Sequence, residues 1–169
     1  MKKTILLLSG MFVMFCSINT NAQTASSTAN ASASARIVTP LEIMKTVDLA
    51  FGNIAAGPSA GTVTIATDGS RSGNGGITLI EAGNVNSAAQ FAIVGYPSAT
   101  FAISLPVSID ITNGTSTMAV DNFVSDLGAA STLDGNGEAG LNVGATLNVN
   151  AGQEPGLYTG SFDVTVAYN

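Results

Sequence analysis

From Ala29 to Phe51 the odd-numbered positions read Ala29, Ala31, Ala33, Ala35, Ile37, Thr39, Leu41, Ile43, Lys45, Val47, Leu49 and Phe51. This is a period of two held for longer than one strand. Pro40 interrupts the run. Proline cannot donate to a β-ladder and holds its predecessor in extended geometry, so the pattern predicts one strand before Pro40 and another after it. The same alternation returns with Val63 and Ile65, Ile77 and Leu79, Phe91 and Ile93, then Phe101, Ile103 and Leu105. It continues through "VSIDI", "TMAVDNFV", "LNVGATLNV" and "SFDVTVAY". The turn-forming stretches "AAGPSAG", "DGSRSGNGG", "TNG", "DGNGEAG" and "NAGQEPG" separate these segments. Short strands with no helical period predict an all-β protein, an antiparallel sandwich around one core.

The first 22 residues follow other rules. Two lysines, an apolar run from Ile5 to Phe15 and the ending Thr20-Asn21-Ala22 have the layout of an export signal cleaved before Gln23. The apolar run is too short for a membrane span. Lipoprotein processing at Cys16 is the rival reading, and Phe15 opposes it, because that pathway wants a small residue there. The expected organisation is therefore a signal peptide over residues 1–22, an extension over 23–38 and a sandwich over 39–169. Export implies the periplasm in transit, then the cell surface or the extracellular space. The processed chain keeps Arg36, Lys45 and Arg71 against eleven Asp and Glu, a net charge of −8. That balance disfavours nucleic acid and anionic lipid as partners. With Cys16 removed no disulfide can form, so burial and strand pairing must hold the fold.

Candidate chemistry is sparse. The chain has no His, and the common nucleophile–base pairs are missing, so the expectation is a protein without enzymatic activity or cofactor. The Gly-rich stretch Asp68–Thr78 lacks a P-loop lysine and leads into a strand, which reads as a long hairpin loop. Arg71 within it is expected to bond backbone carbonyls rather than a ligand. Asp134, Asn136 and Glu138 offer oxygens at i, i+2 and i+4, a weak calcium candidate. The downstream acid of a calcium loop is absent, and Asp-Gly with Asn-Gly also makes an ordinary tight turn. Asp121 and Asp126 flank Phe123 and read as surface acids.

The two ends of the processed chain carry the more specific signals. Gly156, Tyr158, Gly160, Phe162, Val164, Val166 and Tyr168 share one face of the closing segment. If a core strand from Tyr158 to Tyr168 needs a partner strand after it, another chain is expected to supply it. At the other end "TASSTANASASA" has two readings: a disordered extension, or a strand with alternating small side chains.

The stretches beginning "RIVTPLEIMKTVDLAFGNIAAG", "AAQFAIVGYPSATFAISLP" and "LNVGATLNVNAGQEPGLYTGSFDVTVAYN" resemble the bacterial domain-of-unknown-function 4402 family in order and spacing. The alternating extension, the Phe51-Gly52 pair, and Gly156, Tyr158 and the penultimate Tyr168 also resemble chaperone-usher pilins, especially the spore-coat-U-like subunits of archaic pili. The chain lacks the cysteine pair that many of those subunits carry. The pilin resemblance implies an all-β, immunoglobulin-like antiparallel sandwich missing its last strand, which the next subunit's extension supplies. Ala29, Ala31, Ala33, Ala35 and Ile37 would then be the donor strand, and Tyr158, Phe162, Val164, Val166 and Tyr168 one wall of the acceptor groove. The implied partners are further copies or related fibre subunits, with a periplasmic chaperone and an outer-membrane usher. Residues 29 to 38 could equally pair within their own domain. The alternative function is a monomeric secreted binding module, for example for carbohydrate, with Tyr96, Tyr158 and Tyr168 as the tyrosine stacking surfaces.

Overall fold

The computed structural model describes residues 26–83 and 85–169. The expected signal peptide and its cleavage site lie outside them. The chain divides into two units, residues 1–36 and 37–169. In the first, residues 26–36 form no strand and are exposed throughout. The second contains β1 (Glu42–Val47), β2 (Ala50–Phe51), β3 (Asn53–Ile65), β4 (Arg71–Ile80), β5 (Asn86–Ser87) and β6 (Ala89–Val94). It continues with β7 (Thr100–Ser104), β8 (Ser108–Thr112), β9 (Thr117–Ser125), β10 (Ala130–Thr132), β11 (Glu138–Val149) and β12 (Thr165–Tyr168). The described residues contain no helix, and every ladder is antiparallel.

β11 is the spine of the larger sheet. One of its edges takes β6 along Glu138–Val143 and β3 along Ala145–Val149, while β9 lies on the other along Val143–Leu147. β1 extends the sheet beyond β6, β4 beyond β3, and β8 beyond β9. The smaller sheet runs β10-β7-β12, and β2 pairs β5 separately. Leu141, Val143, Ala145, Leu147 and Val149 are all at most 3% exposed. The period of two read from the sequence is thus the inward face of the spine. Ile93, Phe101, Ile103 and Leu133 gather on Leu141 and Val143, whereas Val63, Met118 and Val120 gather on Leu147 and Val149. This is the all-β sandwich that the alternation predicts.

Three local expectations are corrected. The strand predicted before Pro40 is not found among the described residues: residues 26–40 are exposed and outside any ladder. Alanine side chains bury too little apolar area to offset the entropy of ordering them. The stretch read as a long hairpin loop is mostly strand: the turn is confined to residues 67–70, and Arg71–Ile80 pairs with β3. "AAGPSAG" likewise lies inside β3 as a bulge, since Ala56 pairs Ile77 and Gly61 pairs Gly75. Its backbone lies so close to β4 that a Cβ at Gly76 would collide with the Ser59 carbonyl. Glycine serves here for close backbone approach, not for a loop. Third, the closing strand is regular only over Thr165–Tyr168, and before it a single bridge joins Thr159 to Thr112. Extending the β12–β7 register from Thr165↔Ser104 would set Pro106 opposite Asp163. A proline there has no N–H for the ladder.

Arg71 behaves as expected. Its Nη1 donates to the carbonyls of Phe51 (3.2 Å) and Asn53 (3.1 Å), and its Nη2 to the Ile80 carbonyl (3.3 Å) and Glu81 Oε1 (2.6 Å). The arginine side chain is 4% exposed and Glu81 is 77% exposed. One guanidinium thereby ties both ends of the β3–β4 pairing to the entry of β3.

Candidate functional site

Two strand edges are open on one side of the sandwich. β1 pairs only β6 and β12 pairs only β7 among the described residues, and the two come close to each other without a ladder between them. Residues 160–164, which lead into β12, belong to no ladder. An edge of this kind presents unpaired N–H and C=O groups, and these can template another strand.

The side chains around this seam alternate. Phe162, Val164, Val166 and Tyr168 are half-buried, while Ser161, Asp163, Thr165 and Ala167 are exposed. The first four pack on the core cluster of Ile93, Phe101 and Leu141, together with Leu41, Ile43 and Phe91 from the β1 side. Phe162 stacks edge-on to Phe91 with ring centroids 6.5 Å apart and lies 4.9 Å from the Phe123 ring. Aromatic packing therefore holds residues 160–164 in place where backbone pairing does not.

Tyr168 closes one end of the seam. Its Oη accepts the Tyr96 backbone N–H (2.6 Å) and donates to the Thr39 carbonyl (2.9 Å). Gly95 makes room for it, since any Cβ there would collide with that oxygen. Tyr158, expected in the same wall, packs instead on the cluster of Val63 and Leu147. Its hydroxyl donates to the Glu154 carbonyl (2.8 Å) and accepts from Gln153 Nε2 (2.7 Å). Four of the five expected wall residues are thus brought together. Leu41, Ile43 and Phe91 were missed: their alternation is visible in the sequence, but not which strand edge they would face.

Of the expected donor residues, Ala29, Ala31, Ala33 and Ala35 are exposed in the first unit, and Ile37, 98% exposed, begins the second. The tyrosines expected as stacking surfaces are only partly accessible: Tyr96, Tyr158 and Tyr168 are all half-buried.

The weak calcium candidate is a turn. Asp134 Oδ1 accepts the backbone N–H groups of Asn136 and Glu138, both at 2.8 Å, and these two bonds, Glu138's first, hold the Asp134 carboxyl below its ordinary value. Asp68 is lowered in the same way by its side-chain and backbone bonds to Ser70. Among the described residues no three His, Cys, Asp or Glu gather as a metal-holding group. Asp121 and Asp126 bond Asn148 Nδ2 (3.0 Å) and Asn142 Nδ2 (2.7 Å).

The class this geometry defines is an antiparallel β-sandwich with an apolar seam between two free strand edges. The family model Domain of unknown function (DUF4402) matches residues 41–168, and the chain belongs to that family. The match spans the sandwich from the residue after Pro40 to Tyr168. No curated protein and no solved structure matches the chain.

Proposed function

We propose that this protein is an exported, non-enzymatic structural subunit of a cell-surface fibre, in which residues 29–37 of one copy fill the seam of the next. The observation that carries this reading is the pairing, in one chain, of an alternating exposed extension with two strand edges that lack a ladder partner among the described residues. An added strand would satisfy the open backbone of residues 160–164 and cover Phe162, Val164 and Val166. Phe91, Phe123 and Phe162 already fill the floor, which suits small inward residues such as alanine. Charge favours the union: residues 23–38 carry Arg36 and no acid, while residues 39–169 carry two cations and all eleven acids. The resemblance to chaperone-usher pilins points the same way. On this reading a periplasmic chaperone covers the seam in transit, an usher exports the subunit, and the fibre serves adhesion.

The test uses a chain beginning at Thr39, full-length protein, and a peptide of residues 24–38. The peptide is expected to bind the truncated chain and raise its melting temperature, and full-length protein to form oligomers whose size grows with concentration. Ala33→Asp in the peptide should abolish binding, because it places an unpaired charge in the seam. If full-length protein stays monomeric at high concentration and the peptide shifts nothing, the protein is a free-standing sandwich and the monomeric binding-module reading takes its place.

A further inference from the structure

The junction between extension and sandwich raises a question that strand exchange leaves open: why the extension would not fold back into its own seam. We infer that Tyr168 and Pro40 deny it that turn and so commit it to a second copy, with Tyr168 as the positioning residue. This rests on the strand-exchange reading above.

To lie beside its own β1 with Ile37 still in the added strand, the extension would have to reverse direction within residues 38–41. Tight antiparallel reversals use type I′ or II′ turns, whose first central residue needs positive φ. Placing Pro40 first is excluded, because its ring fixes φ near −65°. Placing Thr39 first asks a β-branched residue to take positive φ. Moving the turn to Leu41–Glu42 would break the Glu42↔Val94 pair that begins β1. A wider loop that keeps Ile37 in the added strand needs the Thr39 backbone to move, and the Thr39 carbonyl is held by Tyr168 Oη at 2.9 Å. That oxygen is itself fixed by the Tyr96 N–H, and Gly95 leaves the space it occupies. Two residues before this anchor, Ile37 is 98% exposed, so the chain leaves the core directly from the fixed point.

The experiment uses the full chain with Cys16→Ser, and with cysteines placed at Ser34 and at Asp163, an exposed residue of the open segment. A short bismaleimide joins them, and denaturing gels separate interchain ladders from intrachain monomers. The parent should give ladders that grow with concentration. Tyr168→Phe, which removes one oxygen, should raise the ratio of intrachain to interchain product about fivefold, the factor that one net hydrogen bond supplies. Pro40→Gly should raise it as well, by making a II′ turn accessible, and it decides the matter if Tyr168→Phe proves poorly folded. Ser87→Ala removes a hydroxyl that bonds the Asp48 carbonyl (2.7 Å) elsewhere in the sandwich, and should leave the ratio unchanged. Equal ratios in the parent and the variants overturn the junction's role while strand exchange stands. Absence of any ladder in the parent, at every concentration, overturns strand exchange itself and this inference with it.

Discussion

β4 and the segment 158–168 are both edges of the sandwich, and they are finished in opposite ways. β4 pairs β3 along Arg71–Gly75 and again along Ile77–Ile80, is pressed against it through glycines, and is fastened by an almost fully buried guanidinium. The closing segment keeps a ladder of four pairs, loses it before Thr165, and relies on Phe162 stacking with Phe91 and Phe123. Its exposed charge is the single carboxylate of Asp163. An edge near a buried charge and crowded backbone discourages further strands, whereas an edge with open backbone and half-covered apolar side chains invites one. The difference marks the closing segment, not β4, as the edge with open backbone.

The strongest way to break the comparison is to unfasten the first edge. Arg71→Ala leaves the Phe51, Asn53 and Ile80 carbonyls without their charged donor, and should cost about 3 kcal/mol in urea unfolding. Arg71→Lys should recover only part of it, since one ammonium cannot span both sides. Phe162→Ala, at a half-buried site, should cost about 1–2 kcal/mol in the same measurement and also abolish stabilisation by the 24–38 peptide. A loss from Phe162→Ala larger than that from Arg71→Ala would reverse the ranking of the two edges. Pro106→Ala restores an N–H opposite Asp163. It should slow amide exchange across residues 160–164 with little change in overall stability, because the regained bond is offset by a more flexible unfolded chain.

The smallest effect is electrostatic and lies away from both edges. Asp134 is held below its ordinary value of 3.8, so its contribution to stability is complete above that pH and is lost as pH falls through the lower folded value. Asp134→Asn should therefore lower the neutral melting temperature slightly and flatten its decline below pH 3.8. An unchanged acid limb would show that the turn at Asp134 contributes nothing through its carboxylate.

The strands whose inward residues are large and branched could be read directly from the sequence. Val63 and Ile65, Phe101 and Ile103, and the run from Leu141 to Val149 each face the core as their alternation requires. The exact role of glycine could not be read. In "GNGG" it marks a backbone crossing within a ladder rather than a turn, because the signal for close approach and the signal for a turn are the same residue. Alternation also failed as a guide at the two ends. The alanines from 29 to 35 have the right period and too little surface, and the face from Tyr158 to Tyr168 is continuous in sequence but divided in space between two core clusters. The residue opposite Asp163 in the β7 register is Pro106, more than fifty residues earlier in the chain, and no local pattern reports a partner at that distance. The seam itself was half legible: four wall residues were named, but the facing Leu41, Ile43 and Phe91 depend on which strands end up as edges.

The exposure of Arg36 has a practical consequence for proteolysis. After the expected export cleavage the chain offers trypsin three bonds, those following Arg36, Lys45 and Arg71. Lys45 lies within the β1–β6 ladder and the Arg71 side chain is 4% exposed, whereas Arg36 is exposed and outside any strand. Proteases cut where backbone can open at little cost, so brief digestion should clip the chain once, between Arg36 and Ile37, and leave the sandwich whole. The four alternating alanines would leave with the released fragment while Ile37 stayed behind, and a copy whose Arg36–Ile37 bond were shielded by a neighbour would survive the same treatment uncut.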